Sequence, residues 1–254
     1  MKIRILVILC LAFFINSCSE DNDINAVPVS ITLNFSHSWN ETEVTNADFN
    51  DIKFTNENGE ELSIVRLRYL ISEVTLTHES GVITTLDDYN LVDLTNNEGL
   101  SFTTSAGILP GDYTSVTFRF GFSDENNMGD YADLNTESFN VPSMLGGGYH
   151  YMQFDGNYLN SSLIESPFNY HAISAIDLTN TNDPVDTSFQ LNIGGVTVGG
   201  NTIININMDI SEWFKSPNTW DLNQYDVSLM GNYDVQLLMN QNGASVFSLV
   251  NIIE

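Results

Sequence analysis

Cysteine is almost missing from this sequence: of two, Cys10 and Cys18, neither lies beyond the first eighteen residues. Both belong to a segment that reads as a leader and its processing site, so the chain beyond it has no thiol, which excludes disulfides and thiolate metal sites there. Positive charge is scarce too, with 7 Lys and Arg against 33 Asp and Glu and a formal charge of −26. A field of that sign repels phosphate backbones and anionic bilayers and attracts cations, so nucleic acid is not expected as a partner. No apolar run reaches the roughly 20 residues that cross a bilayer. Catalytic signatures are missing as well: there is no nucleophile elbow, phosphate-binding glycine loop or zinc-protease helix. Gly146-Gly147-Gly148 precedes the β-like Tyr149-His150-Tyr151 rather than a helix, and reads as a turn. A non-enzymatic protein is expected.

What is present begins with Lys2 and Arg4, an apolar run from Ile5 to Ile15, and Asn16-Ser17-Cys18. This is the order of a charged region, a hydrophobic region and a lipid-attachment site. Residues 1–17 are expected to be a removed signal peptide, and 18–27 a lipidated Cys18 followed by an acidic tether. Residues 28–254 are expected to be a single domain. Ser19-Glu20-Asp21-Asn22-Asp23 carries no apolar residue and should stay solvated. It resembles the export signal of surface-displayed Bacteroidetes lipoproteins, which implies an outer-membrane protein anchored by lipid and facing outward. A plain linker is the alternative.

Alternation of apolar and polar residues dominates the rest. Ile31, Leu33, Phe35 and His37 share one parity, as do Val116, Phe118, Phe120 and Phe122, then Phe189, Leu191 and Ile193, then Ile204, Ile206, Met208 and Ile210. A period of two marks half-buried strands. Turn signals at Asn56-Glu57-Asn58-Gly59, Pro110-Gly111-Asp112, Gly194-Gly195 and Gly199-Gly200-Asn201 separate them. The pattern predicts an all-β fold, an antiparallel, Greek-key-like β-sandwich. Short helical turns are predicted at 210–215 and 233–239. Ser123 to Met144 is rich in Asn and Asp and predicts a long polar loop with partial order.

Several blocks occur in order: Leu33-Asn34-Phe35-Ser36-His37, the run Arg66 to Leu76, Leu91-Val92-Asp93, Gly111-Asp112-Tyr113, Phe120-Gly121-Phe122, Gly148-Tyr149, Phe154-Asp155-Gly156, Tyr170-His171, and Glu212 to Asn218. Together they resemble the MbnP-like family of copper-binding proteins, which accompany methanobactin copper uptake and include Bacteroidetes lipoproteins. The resemblance implies copper as the cofactor and a diheme peroxidase-like partner, which in some relatives oxidises a tryptophan of the metal site to kynurenine. Where many relatives carry that tryptophan, this chain has Met144-Leu145-Gly146-Gly147-Gly148-Tyr149.

Without cysteine, a soft-metal site must be built from imidazole and thioether. The resemblance makes His37 and His171 the first pair of candidate ligands, with Trp39 beside His37 as an accessory. His150 and Met152, two apart on a probable strand, would project from one face and could share an ion. A hydrogen-bonded core or rim histidine is the competing reading for each ring. His78, in the turn Thr77 to Gly81, should be solvated. Asp124, Asn126, Gly129 and Asp130 partly imitate a Ca²⁺ loop, which fails at Met128 and Asn135. Trp213 and Trp220 read as core anchors. A surface lipoprotein that binds a protein or glycan and has lost the metal site is the alternative function.

Overall fold

The computed structural model describes residues 26–105, 107–179 and 184–254. The signal peptide, Cys18 and the segment Ser19 to Asp23 lie outside these. The strands are β1 (Thr32–Trp39), β2 (Thr42–Glu43), β3 (Phe54–Thr55), β4 (Glu61–His78), β5 (Ile83–Asp93), β6 (Ser101–Thr103), β7 (Gly111–Phe120), β8 (Met152–Leu159), β9 (Glu165–Ala172), β10 (Phe189–Val198), β11 (Ile203–Asp209) and β12 (Phe247–Ile253). Helices are short: α1 (Asp124–Asn127), α2 (Ala132–Thr136) and α3 (Tyr233–Asn242), with 3₁₀ turns between elements.

The strands form two sheets. A five-stranded sheet runs β12-β11-β1-β2 with β6 also on β1, and a seven-stranded sheet runs β10-β7-β4-β8-β9 with β3 and β5 also on β4. The all-β, sandwich-like expectation holds, with one difference: β1 pairs β11 in parallel, Leu33 opposite Ile204 and His37 opposite Met208. These strands are far apart in the chain, so no hairpin forces them to run antiparallel. Alternation places Ile31, Leu33 and Phe35 against Leu67, Tyr69, Ile71, Phe118 and Phe120 in one buried cluster. Trp213 and Trp220 are fully buried there, as anchors. The predicted helical turns are a 3₁₀ turn at Ile210–Phe214 and α3.

One sequence expectation meets a different geometry. Gly194-Gly195 does not reverse the chain: β10 runs through it, with register shifts against β7 and Gly194 at φ 99°. Glycine there permits a bulge that bends the strand instead of ending it. The partial order expected of the polar segment from Ser123 takes the form of two short helices and a small apolar cluster. The segment contains α1 and α2, and two of its apolar residues, Leu134 and Phe139, pack with Leu70, Phe122 and Tyr149 in a second cluster. Because Phe122 and Tyr149 flank the segment, it is folded down as a cover that ends at His150.

His37 sits 3% exposed on β1, where its Nε2 and the Tyr69 hydroxyl share a 3.0 Å hydrogen bond. Burial lowers its pKa from 6.5 to about 4. Between those values the unfolded chain takes up a proton that the folded ring refuses, so this histidine makes stability fall as pH falls through that window and not above it. The span corresponds to about 3 kcal/mol. Urea unfolding across the window should show the parent losing about that much more stability than His37→Gln. Equal pH dependence of the two would remove this role.

Candidate metal centre

The site is built on three neighbouring strands whose polar residues alternate with core residues. Register places Arg68 opposite Gln153 and Arg66 opposite Asp155 between β4 and β8. Across the next ladder Gln153 faces His171 and Asp155 faces Asn169. Phe154, Tyr170 and Ala172 point the other way into the core. Period-two alternation therefore gathers Arg66, Arg68, Gln153, Asp155, Asn169 and His171 on the face of the seven-stranded sheet away from its partner sheet.

The cover brings a second imidazole to this face. The backbone N–H and the ring Nδ1–H of His150 both donate to the Phe139 carbonyl, at 2.9 and 2.8 Å. Phe139 is itself clamped, with the Arg68 guanidinium over its ring at 5.4 Å. Arg68 donates to Gln153 Oε1 at 2.7 Å and to the Glu137 carbonyl at 2.8 Å, tying cover to sheet. The His150 and His171 rings meet edge to face, centroids 5.2 Å apart and planes at 85°.

Hydrogen bonding fixes both tautomers. The Phe139 carbonyl only accepts and lies closer to Nδ1, at 2.8 Å, than the Gln153 amide nitrogen at 3.3 Å, so His150 carries its proton on Nδ1 and keeps a lone pair on Nε2. His171 donates from Nε2 to Asp155 Oδ1 at 2.8 Å, which leaves its lone pair on Nδ1. Both remaining nitrogens, His150 Nε2 and His171 Nδ1, are buried without a hydrogen-bond partner among the described residues. Leaving a buried acceptor unpaired costs about 1–3 kcal/mol. The two atoms belong to rings in edge-to-face contact, and neither meets a proton donor among the described residues. Burial, together with the charges of Arg66 and Arg68, lowers the His150 pKa to about 3, so its Nε2 stays unprotonated at neutral pH. Asp155 is pulled down to about 2: burial pushes it up, but the His171 and Asn169 hydrogen bonds and the Arg66 charge outweigh that.

The donor set is chemically narrow. Among the described residues no group of three or more His, Cys, Asp or Glu could hold one ion. Two neutral imidazoles fall short of the four ligands of structural zinc and lack the oxygens that calcium or magnesium need. Imidazole suits copper, so the pair fits that metal best.

The other sequence candidates lie elsewhere. His37 faces the inter-sheet core, and no hydrogen bond or ring contact joins it to His171 among the described residues. Trp39 is buried on the same side, its Nε1 donating to the Thr55 carbonyl at 3.1 Å and its ring against Phe54 and Phe214. Met152 is fully buried in the main core. β8 starts only at Met152, so strand alternation does not extend back to His150. His78 is half-buried, its Nδ1 against the Ser80 hydroxyl at 2.8 Å. In the proposed calcium loop, Asn126 donates to Glu73 at 2.9 Å and Asp130 accepts from Asn135 at 2.7 Å, so these side chains serve separate partners. Gly146, Gly147 and Gly148 all have positive φ and, with Asp124, Asn127 and Met128, line a cavity of about 460 Å³. Asp155 and Arg66, both inside the quoted family blocks, escaped sequence reasoning, because strand register is needed to see that they meet His171.

The family model for MbnP matches residues 28–232. The chain belongs to the MbnP family. This family is associated with methanobactin copper uptake. MbnP from Methylosinus trichosporium is similar in structure, with a TM-score of 0.50, 12% identity, and coverage of 76% of this chain and 79% of that one. At that identity the likeness concerns the fold alone. No curated protein matches the chain.

Proposed function

We propose that this MbnP-family protein binds copper as Cu(I) between His150 Nε2 and His171 Nδ1, and holds or relays it without catalysing a reaction. The observation that carries the reading is the pair of buried, unpartnered nitrogens on touching rings. Bound copper would satisfy both lone pairs at once. Neutral ligands flanked by Arg66 and Arg68 favour a monovalent over a divalent cation, and a soft d¹⁰ ion tolerates few ligands. Titrating the domain from residue 28 with Cu(I) against a competing chelator should give one His-dependent site per chain. That site should be insensitive to salt, unlike general attraction to an acidic surface. Equal binding by the His150→Ala/His171→Ala double variant would remove the assignment.

The leader sequence supports a place for this chemistry: a lipid on Cys18 holding the domain at the outer membrane, on the cell surface. A diheme peroxidase-like partner is part of the same reading. A Cys18→Ala protein should leave the membrane fraction or stall in processing while its domain still folds, since attachment lies outside the strands. Multiple acyl chains at about 0.8 kcal/mol per buried CH₂ account for the anchoring. Persistence of the variant with membranes after a salt wash would rule lipid out as the anchor.

A further inference from the structure

We propose that Asp155 is the positioning residue of the metal centre, the carboxylate that fixes which nitrogen of His171 faces His150; the proposal rests on the copper reading above. Its place follows from register: Asp155 lies on the central strand of three, opposite Arg66 on one side and Asn169 on the other, one step diagonally from His171. Every direction of its carboxylate is used. Oδ1 accepts from His171 Nε2–H at 2.8 Å and from Asn169 Nδ2 at 2.6 Å. Oδ2 accepts from Arg66 Nε and Nη2, each at 2.5 Å. With its lone pairs engaged, Asp155 is not itself a ligand.

The arrangement acts on the metal through His171. The imidazole has two nitrogens, and its ring could turn about the Cβ–Cγ bond. A carboxylate on Nε2 holds the proton there, locks the ring plane and makes Nδ1 a stronger donor. Arg66 neutralises the half-buried carboxylate, so this support adds no net negative charge that would favour a divalent ion. His150 is fixed by a different device, the Phe139 carbonyl of the cover. One ligand is therefore set by the sheet through Asp155 and the other by the cover. Loss of Asp155 should loosen only the first.

The test reads the apo protein as well as the loaded one. Long-range ¹H–¹⁵N spectra of the apo domain should show the buried His150 Nδ1–H and His171 Nε2–H. Asp155→Ala should lose the His171 signal, keep that of His150, and bind Cu(I) about 10–100-fold more weakly. Asp155→Asn, which keeps an acceptor oxygen without the charge, should fall between and covers the case in which the alanine variant does not fold. Parental affinity and an unchanged His171 signal in both variants would overturn the proposal. So would simultaneous loss of both ring signals, the mark of a merely structural role. If the parent itself takes up no copper, the copper reading fails, while the His171 signal still decides whether Asp155 positions the ring.

Discussion

His150→Ala is expected to weaken Cu(I) binding by about 100-fold or more, beyond the 10–100-fold typical of an outer-shell residue, because it removes one of only two ligands. The fold should survive the change. The backbone N–H of residue 150 keeps its 2.9 Å bond to the Phe139 carbonyl, and the cover retains Leu134 and Phe139 in their apolar cluster. His171→Ala should cost the same, since neither ring has a substitute among the described residues. His37→Ala and Met152→Leu provide the contrast. Both positions face the core between the sheets, so copper affinity should stay at the parental value even where stability drops. Chelator competition on the four variants measures this directly. A loss with His37→Ala equal to that with His150→Ala would relocate the site.

Gly156→Ala should have the largest effect on stability. Gly156 is buried in β8, between Ile64 of β4 and Phe168 of β9. A Cβ there would stand 2.0 Å from the Ser63 carbonyl oxygen and 2.5 Å from the Phe168 ring. The ring can turn but the carbonyl belongs to a paired strand, so the overlap is relieved only by pushing β8 and β4 apart. Overpacking of this kind costs about 3 kcal/mol or more. For a domain of this size that lowers Tm by about 6–12 °C. Asp155 is the next residue, so the same displacement should disturb its bond to His171, and copper affinity should fall along with Tm. Calorimetry of the apo protein gives the first effect and chelator competition the second. A Tm within a degree or two of the parent would mean that the strands yield more readily than their pairing suggests.

Much of the frame could be read from the chain, and the reasons it could not all be read are local. Strands with one wet face, such as β1 and β11, announce themselves by alternation. β4 does not: from Leu67 to Val74 nearly every side chain is buried, because the cover packs on one face and the partner sheet on the other. Its period is thereby erased. The cover is legible only as a partly ordered polar loop, because two short helices with a handful of apolar anchors leave no sustained pattern. For the site, parity placed His37 with the core residues of β1 correctly, but parity does not say which strands become neighbours. The pairing of His150 with His171 depends on two things that local spacing does not encode: the register of β8 on β9, and the fold-back of the cover onto that sheet. A period-two signal is nonetheless present in Arg66-x-Arg68, Gln153-x-Asp155 and Asn169-x-His171, three polar pairs each spaced by one core residue.

X-ray absorption at the copper edge of the Cu(I)-loaded domain tests the His150–His171 assignment most directly, because it counts and identifies the ligands without reference to affinity. The expected spectrum shows two imidazole nitrogens on a monovalent ion and no sulfur, with imidazole scattering halved in either His150→Ala or His171→Ala. A sulfur neighbour, or imidazole scattering that survives in the double variant, would contradict it.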